Sequence, residues 1–290
     1  MLDWIDTLIQ GIMLGGFFAL SGLGLSLSFG IMRIVNIAHG DFLVVAAYLG
    51  VTIVALTGIN PLLAIPIIVP LMFGIGYLLR RSLLNRAIDG SELTPLLITF
   101  GISIILHNAL QEIFSADFKS LDAGSIEVAS LSLGGINIGW LPLSILIVAL
   151  LIYAALHHLM ATTTFGRIVR ATVDDPEVTS LMGVDTRKVY AIGMGLSMAV
   201  VGVAGSLYGI KSSFNPMAGG DQLLFAFEAV IIGGLGSIWG TLAGGMALGL
   251  AQIIGLKIHA GWGAFAGHLI FFIFLFVKPN GLLSKGGQHG

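Results

Sequence analysis

The chain has 290 residues, of which 56% are hydrophobic and only 10% charged, with a formal net charge of −2. Soluble domains carry about 25% charged residues, so a soluble fold of this length could not cover its surface and the bilayer must be its main solvent. There is no cysteine, which excludes disulfides, thiolate metal sites and a thiol nucleophile, and the near-neutral charge balance gives no reason to expect nucleic acid.

Runs free of Asp, Glu, Lys and Arg cover 7–32, 42–79, 93–111, 128–166, 189–210, 229–256 and 258–277. A spanning helix needs about 20 apolar residues, and each run reaches or approaches that length. The apolar stretch 143–152 does not alternate in polarity, as a strand of a membrane barrel would. The expected fold is an all-α polytopic bundle of eight or nine transmembrane segments, some of them short or discontinuous.

The first span is predicted over 7–29. Asp3 and Asp6 precede it with no basic residue, unlike a secretory signal, so it is expected to stay as a helix. Phe29-Gly30-Ile31-Met32-Arg33-Ile34-Val35-Asn36-Ile37-Ala38-His39-Gly40-Asp41-Phe42 then puts polar and charged residues between two hydrophobic segments with almost no loop. Two readings stay open. In the first this is a tight cytoplasmic turn: Asn36 caps, Gly40 bends, and Asp41 opens the next helix against its dipole. In the second, Asn36, His39, Gly40 and Asp41 form a hinge or gate lining a permeation path, because polar groups at membrane depth are costly and mark function.

Spans are predicted next over 40–57, 61–79 and 94–114. His107 and Asn108 fall inside the third; they line a pathway or, as is commoner for such residues, join helices by hydrogen bonds. After an outer loop over 116–140 comes a span over 141–160, whose adjacent His157 and His158 read as interfacial anchors.

The loop 161–188 contains a short helix with both ends marked. Asp175 is a good N-cap, Pro176 suits the first helical position and Glu177 favours the positive end of the dipole. Gly183 fits a left-handed stop. Val178, Leu181 and Met182 form an apolar stripe at helical spacing. About seven residues are too few for a helix stable alone in water, so it needs a surface to pack on. The flanking arginines suit either a docking element for a cytoplasmic partner or a helix lying on lipid headgroups.

A span follows over 189–210, then a shorter hydrophobic segment over 223–236 that crosses or re-enters. Glu228 lies within it, and an intramembrane carboxylate is a functional hypothesis by default, although its place near the outer end would let water reach it. Ile232-Gly233-Gly234-Leu235-Gly236-Ser237-Ile238-Trp239-Gly240 splits a long hydrophobic stretch. Gly-interrupted segments in two halves of a chain point to a transporter pathway, which groups Gly233, Gly234 and Gly236 with the break at 30–41. The last spans are predicted over 238–256 and 263–277.

Basic residues of short loops stay cytoplasmic. Placing Arg80, Arg81 and Arg86, then Arg167, Arg170, Arg187 and Lys188, and finally Lys278 and Lys285 inside puts the N-terminus outside and leaves only Lys119, Lys211 and Lys257 there. This N-out, C-in arrangement requires 223–236 to cross. No loop is long enough for a soluble domain, so 1–290 reads as one membrane domain that includes the loop 161–188. The 41 glycines recur at spacings of four, as at Gly11 and Gly15 or Gly245 and Gly249, which suits close helix packing in lipid.

Chemistry of other classes is missing. There is no nucleotide-binding P-loop and no Gly-x-Ser-x-Gly elbow. The seven histidines, the last of them His289, are scattered without zinc spacing.

Gly15 through Leu20, Gly22-Leu23-Gly24-Leu25-Ser26-Leu27, Phe29-Gly30 and Asn36-Ile37-Ala38-His39-Gly40-Asp41 resemble the opening of branched-chain amino acid ABC transporter permeases of the LivH type. Gly166-Arg167 through Asp175-Pro176-Glu177 and Leu181-Met182-Gly183-Val184 resemble the coupling loop of that family, and Glu228 through Ser237 and Pro279-Asn280-Gly281-Leu282 are similar too. The resemblance runs in order along nearly the whole chain. It implies a non-enzymatic permease subunit of a bacterial inner-membrane importer, carrying branched-chain amino acids. A second, LivM-like permease or less commonly a second copy, two cytoplasmic ATPases and an external binding protein would be its partners. ATP and Mg would belong to the ATPases, with no cofactor or metal on this chain. Arg167, Arg170, Asp175, Pro176, Glu177, Leu181, Met182 and Gly183 would couple to the ATPases, which favours docking over the lipid surface for the 175–183 helix.

The same family includes importers of urea, short-chain amides and aromatic acids. From another class, an ion-coupled carrier or channel competes; it normally places ionisable residues in mid-span, where this sequence offers almost none. An intramembrane enzyme lacks a catalytic set.

Overall fold

The computed structural model describes residues 2–84 and 93–283. Arg86, Lys285 and His289 therefore lie outside the described residues. The architecture is helical, and among the described residues seven helices are long and apolar enough to cross a membrane. They are α1 (Leu2–Met32), α2 (His39–Thr57), α3 (Pro61–Ser82), α4 (Leu93–Phe114), α6 (Trp140–Thr162), α9 (Thr186–Lys211) and α11 (Ile238–Ile258). Two helices of 15 residues, α10 (Gly219–Gly233) and α12 (Gly263–Val277), complete the bundle. At 1.5 Å per residue each is about 22 Å long, short of a hydrocarbon core of about 30 Å. The expected eight or nine passes thus resolve into seven long helices and two short ones.

Local chemistry sets several boundaries. Asn60 caps α3 by accepting from the Leu62 N–H, with Pro61 at the first helical position. Gly58, at φ 68°, closes α2 in the left-handed conformation. Arg33 follows α1 at φ 54°, a conformation that costs a non-glycine residue about 1–2 kcal/mol. Between α4 and α6 the chain makes a short helix, α5 (Ser125–Val128), and an antiparallel hairpin, β1 (Ser130–Leu133) with β2 (Ile136–Gly139). The hairpin is tied to α1, where Gln10 donates to the Asn137 carbonyl and Asp6 accepts from the Asn137 N–H.

Helix α1 is the central post, packed on α11, α9, α10 and α6. The contacts are glycine-made. A methyl group added at Gly15 would lie 2.6 Å from the Met246 backbone, and one at Gly249 would lie 2.3 Å from that of Gly15. These are the small-residue seams expected from the spacing, because without a hydrophobic force between helices in lipid only close backbone approach gives strong packing. The pairings run 11 with 250 and 15 with 246, so α1 and α11 are antiparallel.

The two ends of the bundle differ. The end where α1 stops carries Arg33, Arg81, Arg167, Arg170, Arg187, Lys188 and Lys278; Asp3, Asp6, Lys119, Lys211 and Lys257 lie at the other. We call the first the basic end. Arg80 departs from the loop cluster expected of it: it is buried in α3, its guanidinium 5.2 Å from the ring centroid of Tyr190.

Candidate functional site

The segment after α1 is not a tight turn. Residues 33–38 are non-helical and run back beside α1 into the bundle. His39, the first residue of α2, donates through Nε2–H to the Ser21 carbonyl, 2.8 Å away. Ser21 lies about ten residues, or ~15 Å, above the basic end of α1, so α2 begins at depth. Asn36, His39 and Asp41 are all buried. Asn36 does not cap α2, because Ala38 holds the N-cap position without a side-chain bond; its Oδ1 instead accepts from the Ala38 N–H at 3.1 Å. Its amide nitrogen and Nδ1 of His39 have no partner among the described residues.

A second helix start meets the first at this level. The chain descends from α9 through 212–218 and opens α10 at Gly219. A methyl group at Gly40 would sit 1.9 Å from the Gly219 carbonyl oxygen, and one at Gly219 would sit 2.2 Å from Asp41 Oδ1. Two positive helix ends, each worth about half an elementary charge, are therefore pressed together in the interior. The Asp41 carboxylate lies between them and also accepts from the Ser103 hydroxyl of α4 at 2.5 Å. Thr99, Ser103 and His107 are spaced i, i+4, i+8, one polar stripe on one face of α4. Thr99 accepts from the Ile37 N–H. Asn108 is not on this stripe: it is exposed and donates to the Ile104 carbonyl of its own helix, so among the described residues it joins no helices.

Glu228 is not near an outer, solvated end. It is 1% exposed and accepts from or donates to Nδ1 of His268 in α12 at 2.6 Å, while Phe225 stacks on the His268 ring at 5.6 Å. The span interiors thus hold ionisable groups after all. Asp41 and Glu228 escaped the charge-free runs because each lies one residue outside one, and the true helices extend past those runs.

The glycines at 233–236 form a reversal between antiparallel helices rather than an interruption at depth. Gly234 and Gly236 have φ of 104° and 78°, which glycine adopts without penalty. Gly236 packs on Gly30 near the end of α1, and the Leu282 and Leu283 N–H groups donate to the Ile232 and Gly233 carbonyls. This break and the one at 33–38 are therefore not equivalent.

At the basic end the loop 161–188 folds into α7 (Thr164–Asp174) and α8 (Pro176–Leu181). Asp175 ends the first and caps the second, accepting from the Glu177 and Val178 N–H groups at 3.0 Å each. Pro176 opens α8 and Gly183 follows its end at φ 87°. Helix α7 was not anticipated; Val169 packs with Ile31 of α1 and Val189 of α9, Arg170 donates to the Met160 carbonyl and Arg167 to the Thr164 hydroxyl. Helix α8 keeps Thr179 inside and leaves Leu181 and Met182 88% and 80% exposed. Asp185 caps α9, and the Lys188 N–H it accepts from holds its carboxyl below the ordinary range.

The family model described as "Branched-chain amino acid transport system / permease component" matches residues 7–278. The chain belongs to this family. The permease is similar to the high-affinity branched-chain amino acid transport system permease protein BraD of Pseudomonas aeruginosa, 29% identical over 97% of this chain and 96% of that one. It is 27% identical to LivH of Escherichia coli K12 over 98% of this chain and 96% of that one. A probable LivH of Methanocaldococcus jannaschii is 32% identical over 80% of this chain and 75% of its own length. Among solved structures, PsaBC from Streptococcus pneumoniae in complex with Fab aligns with 95% of this chain and 91% of that chain, at 16% identity and a TM-score of 0.46. The permease is thus a multi-pass inner-membrane transport component of the ABC importer class, a class that works with ATPase and binding-protein partners. Membership decides against an ion-coupled carrier despite Asp41 and Glu228 at depth.

Residue-by-residue reading missed Ser103, Gly219 and His268. The polar stripe Thr99, Ser103, His107 was a visible signal for the first; nothing local announces the other two.

Proposed function

We propose that this permease carries branched-chain amino acids across the membrane, with the basic end in the cytoplasm and the N-terminus outside. The observation that carries this is a short, doubly capped helix, α8, exposing Leu181 and Met182 at the basic end in a chain similar end to end to branched-chain permeases. On this reading α8 seats in an ATPase. Arg167, Arg170, Asp175, Pro176, Glu177 and Gly183 hold it at the required angle, and α7 passes its motion to α1 and α9. The chain itself catalyses nothing and binds no cofactor; ATP and Mg act on two ATPase subunits.

The path runs past the meeting of α2 and α10, where Asn36, His39, Gly40, Asp41 and the α4 stripe with His107 provide polar groups. Glu228 holds α12 to α10, and the turn at Gly233, Gly234 and Gly236 is a hinge at the inner mouth. Asn108, turned outward, faces a second, LivM-like permease, since α4 is left mostly uncovered by its own chain. The test is reconstitution of the chain with its partners. Two ATPases should copurify, and uptake of leucine, isoleucine or valine should require ATP and a binding protein. Uptake by this chain alone on an ion gradient, or selective uptake of urea, amides or aromatic acids, would overturn the proposal.

A further inference from the structure

A cavity of about 440 Å³ opens at the basic end between α1, α6, α7 and the start of α11, within the range of roughly 300–1,000 Å³ typical of small-molecule sites. Ile31, Val173 and Ile238 supply apolar wall; Arg170 and Asp174 supply charge; Ser26 supplies a hydroxyl. Arg170 and Asp174 are four residues apart on α7, where side chains are neighbours, yet no ion pair joins them among the described residues. Arg170 bonds the Met160 carbonyl instead. Among the described residues the buried Ser26 hydroxyl has no partner, and a buried polar group left so is costly.

An apolar chamber with a cation, an anion and an orphan hydroxyl on its wall matches one ligand chemistry. A hydrocarbon would use none of the polar groups, and an amphiphilic anion would leave Asp174 repelled. A zwitterion with a short aliphatic tail engages all of them. We propose that this cavity binds an amino acid with a small branched side chain, its carboxylate at Arg170 and its ammonium at Asp174. The inference rests on the function proposed above, which makes the ligand the product of import, met from the cytoplasm. Bound there, it ties α7 to α1 and α11 and holds the coupling element in one arrangement, so import slows as product accumulates.

The test is binding of tritiated leucine to the assembled permease–ATPase complex in nanodiscs, without binding protein. Saturable binding of about millimolar strength, roughly −4 kcal/mol, is expected. 4-Methylpentanoate and 3-methylbutylamine, each lacking one charge, should compete about tenfold more weakly or worse. Val173→Phe, which fills the chamber, and Asp174→Asn should each weaken binding about tenfold, and both should still import leucine into vesicles that start empty. Leucine preloaded on the ATPase side should slow the parent complex and spare the two variants. Absence of saturable binding in a preparation that imports leucine would remove the site and leave the proposed function standing. Equal binding of 4-methylpentanoate would reassign the cavity to amphiphilic anions and overturn the proposal. Because binding is read apart from transport, retained binding with no leucine import would unseat the function and leave the site.

Discussion

The meeting of α2 and α10 and the α7–α8 element are built on opposite principles. At the first, residues some 180 positions apart in the chain close on one another through Gly40 and Gly219 with no room for a methyl group. At the second, each constraint is satisfied within a few residues: Asp175 caps its own helix, Gly183 ends it, and the apolar tip stays in the open. Buried polar groups and close backbones make the first rigid and intolerant. The second owes its shape to local chemistry, so its surface is free to serve another molecule.

The strongest way to break this contrast is to insert single methyl groups. Gly40→Ala and Gly219→Ala should each destabilise the protein by about 3 kcal/mol or more, as overpacking against backbone leaves little means of relief. Gly220→Ala is the internal control. A methyl there meets nothing within 4 Å among the described residues, and alanine is the better helix former by about 1 kcal/mol, so stability should hold or rise. Thermal unfolding of the three variants in detergent separates them; equal behaviour at 219 and 220 would refute the packing described here.

A smaller effect is expected at Ser103. Its hydroxyl bonds the buried Asp41 carboxylate, and losing a bond to a charged group costs about 1.5–3 kcal/mol. Ser103→Ala should therefore lower the unfolding temperature, whereas Asn108→Ala, which removes only a bond within one exposed turn, should not. If the two substitutions prove equal, the polar stripe of α4 does not hold α2.

The same contrast governs what could be read in advance. The spans were legible because each needs only a run of apolar residues, and the caps of α8 because they are contacts between sequence neighbours. The level at which α2 begins was not legible. Nothing in 33–38 says whether a six-residue connection turns at the surface or climbs beside its own helix; that depends on the Ser21 carbonyl, Thr99 and Gly219 being where they are. Glu228 was misplaced for the same reason. Its burial follows from the position of His268, forty residues on, and no local pattern ties the two. Glycine spacing predicted that helices would pack closely but not which pairs would meet.

Next in size is Asp175→Ala. It removes the cap that accepts from two N–H groups at the start of α8, and such losses cost about 1 kcal/mol. Because α8 is a terminal flourish on the fold and not part of its packed interior, global unfolding should move little. Hydrogen exchange at the Glu177 and Val178 amides should rise clearly. Asp175→Asn and Asp175→Ser, which keep an acceptor, should restore protection.

The smallest effect on stability and a large one on work are expected from the double substitution of Leu181 and Met182 by alanine. Both side chains are almost wholly exposed, and surface substitutions of this kind usually stay within about 0.5 kcal/mol. A structural role would make the variant unfold early; a role in coupling leaves unfolding unchanged and lowers ATPase stimulation by the loaded binding protein. Val178, half-exposed on the same stripe, should behave alike but more weakly, whereas Thr179, turned inward, should affect folding instead. The two sides of one six-residue helix would then report separately on the two principles that divide the molecule. Unchanged stimulation in an assembled complex of the Leu181 and Met182 variant would mean that the exposed tip of α8 is not where the ATPase docks.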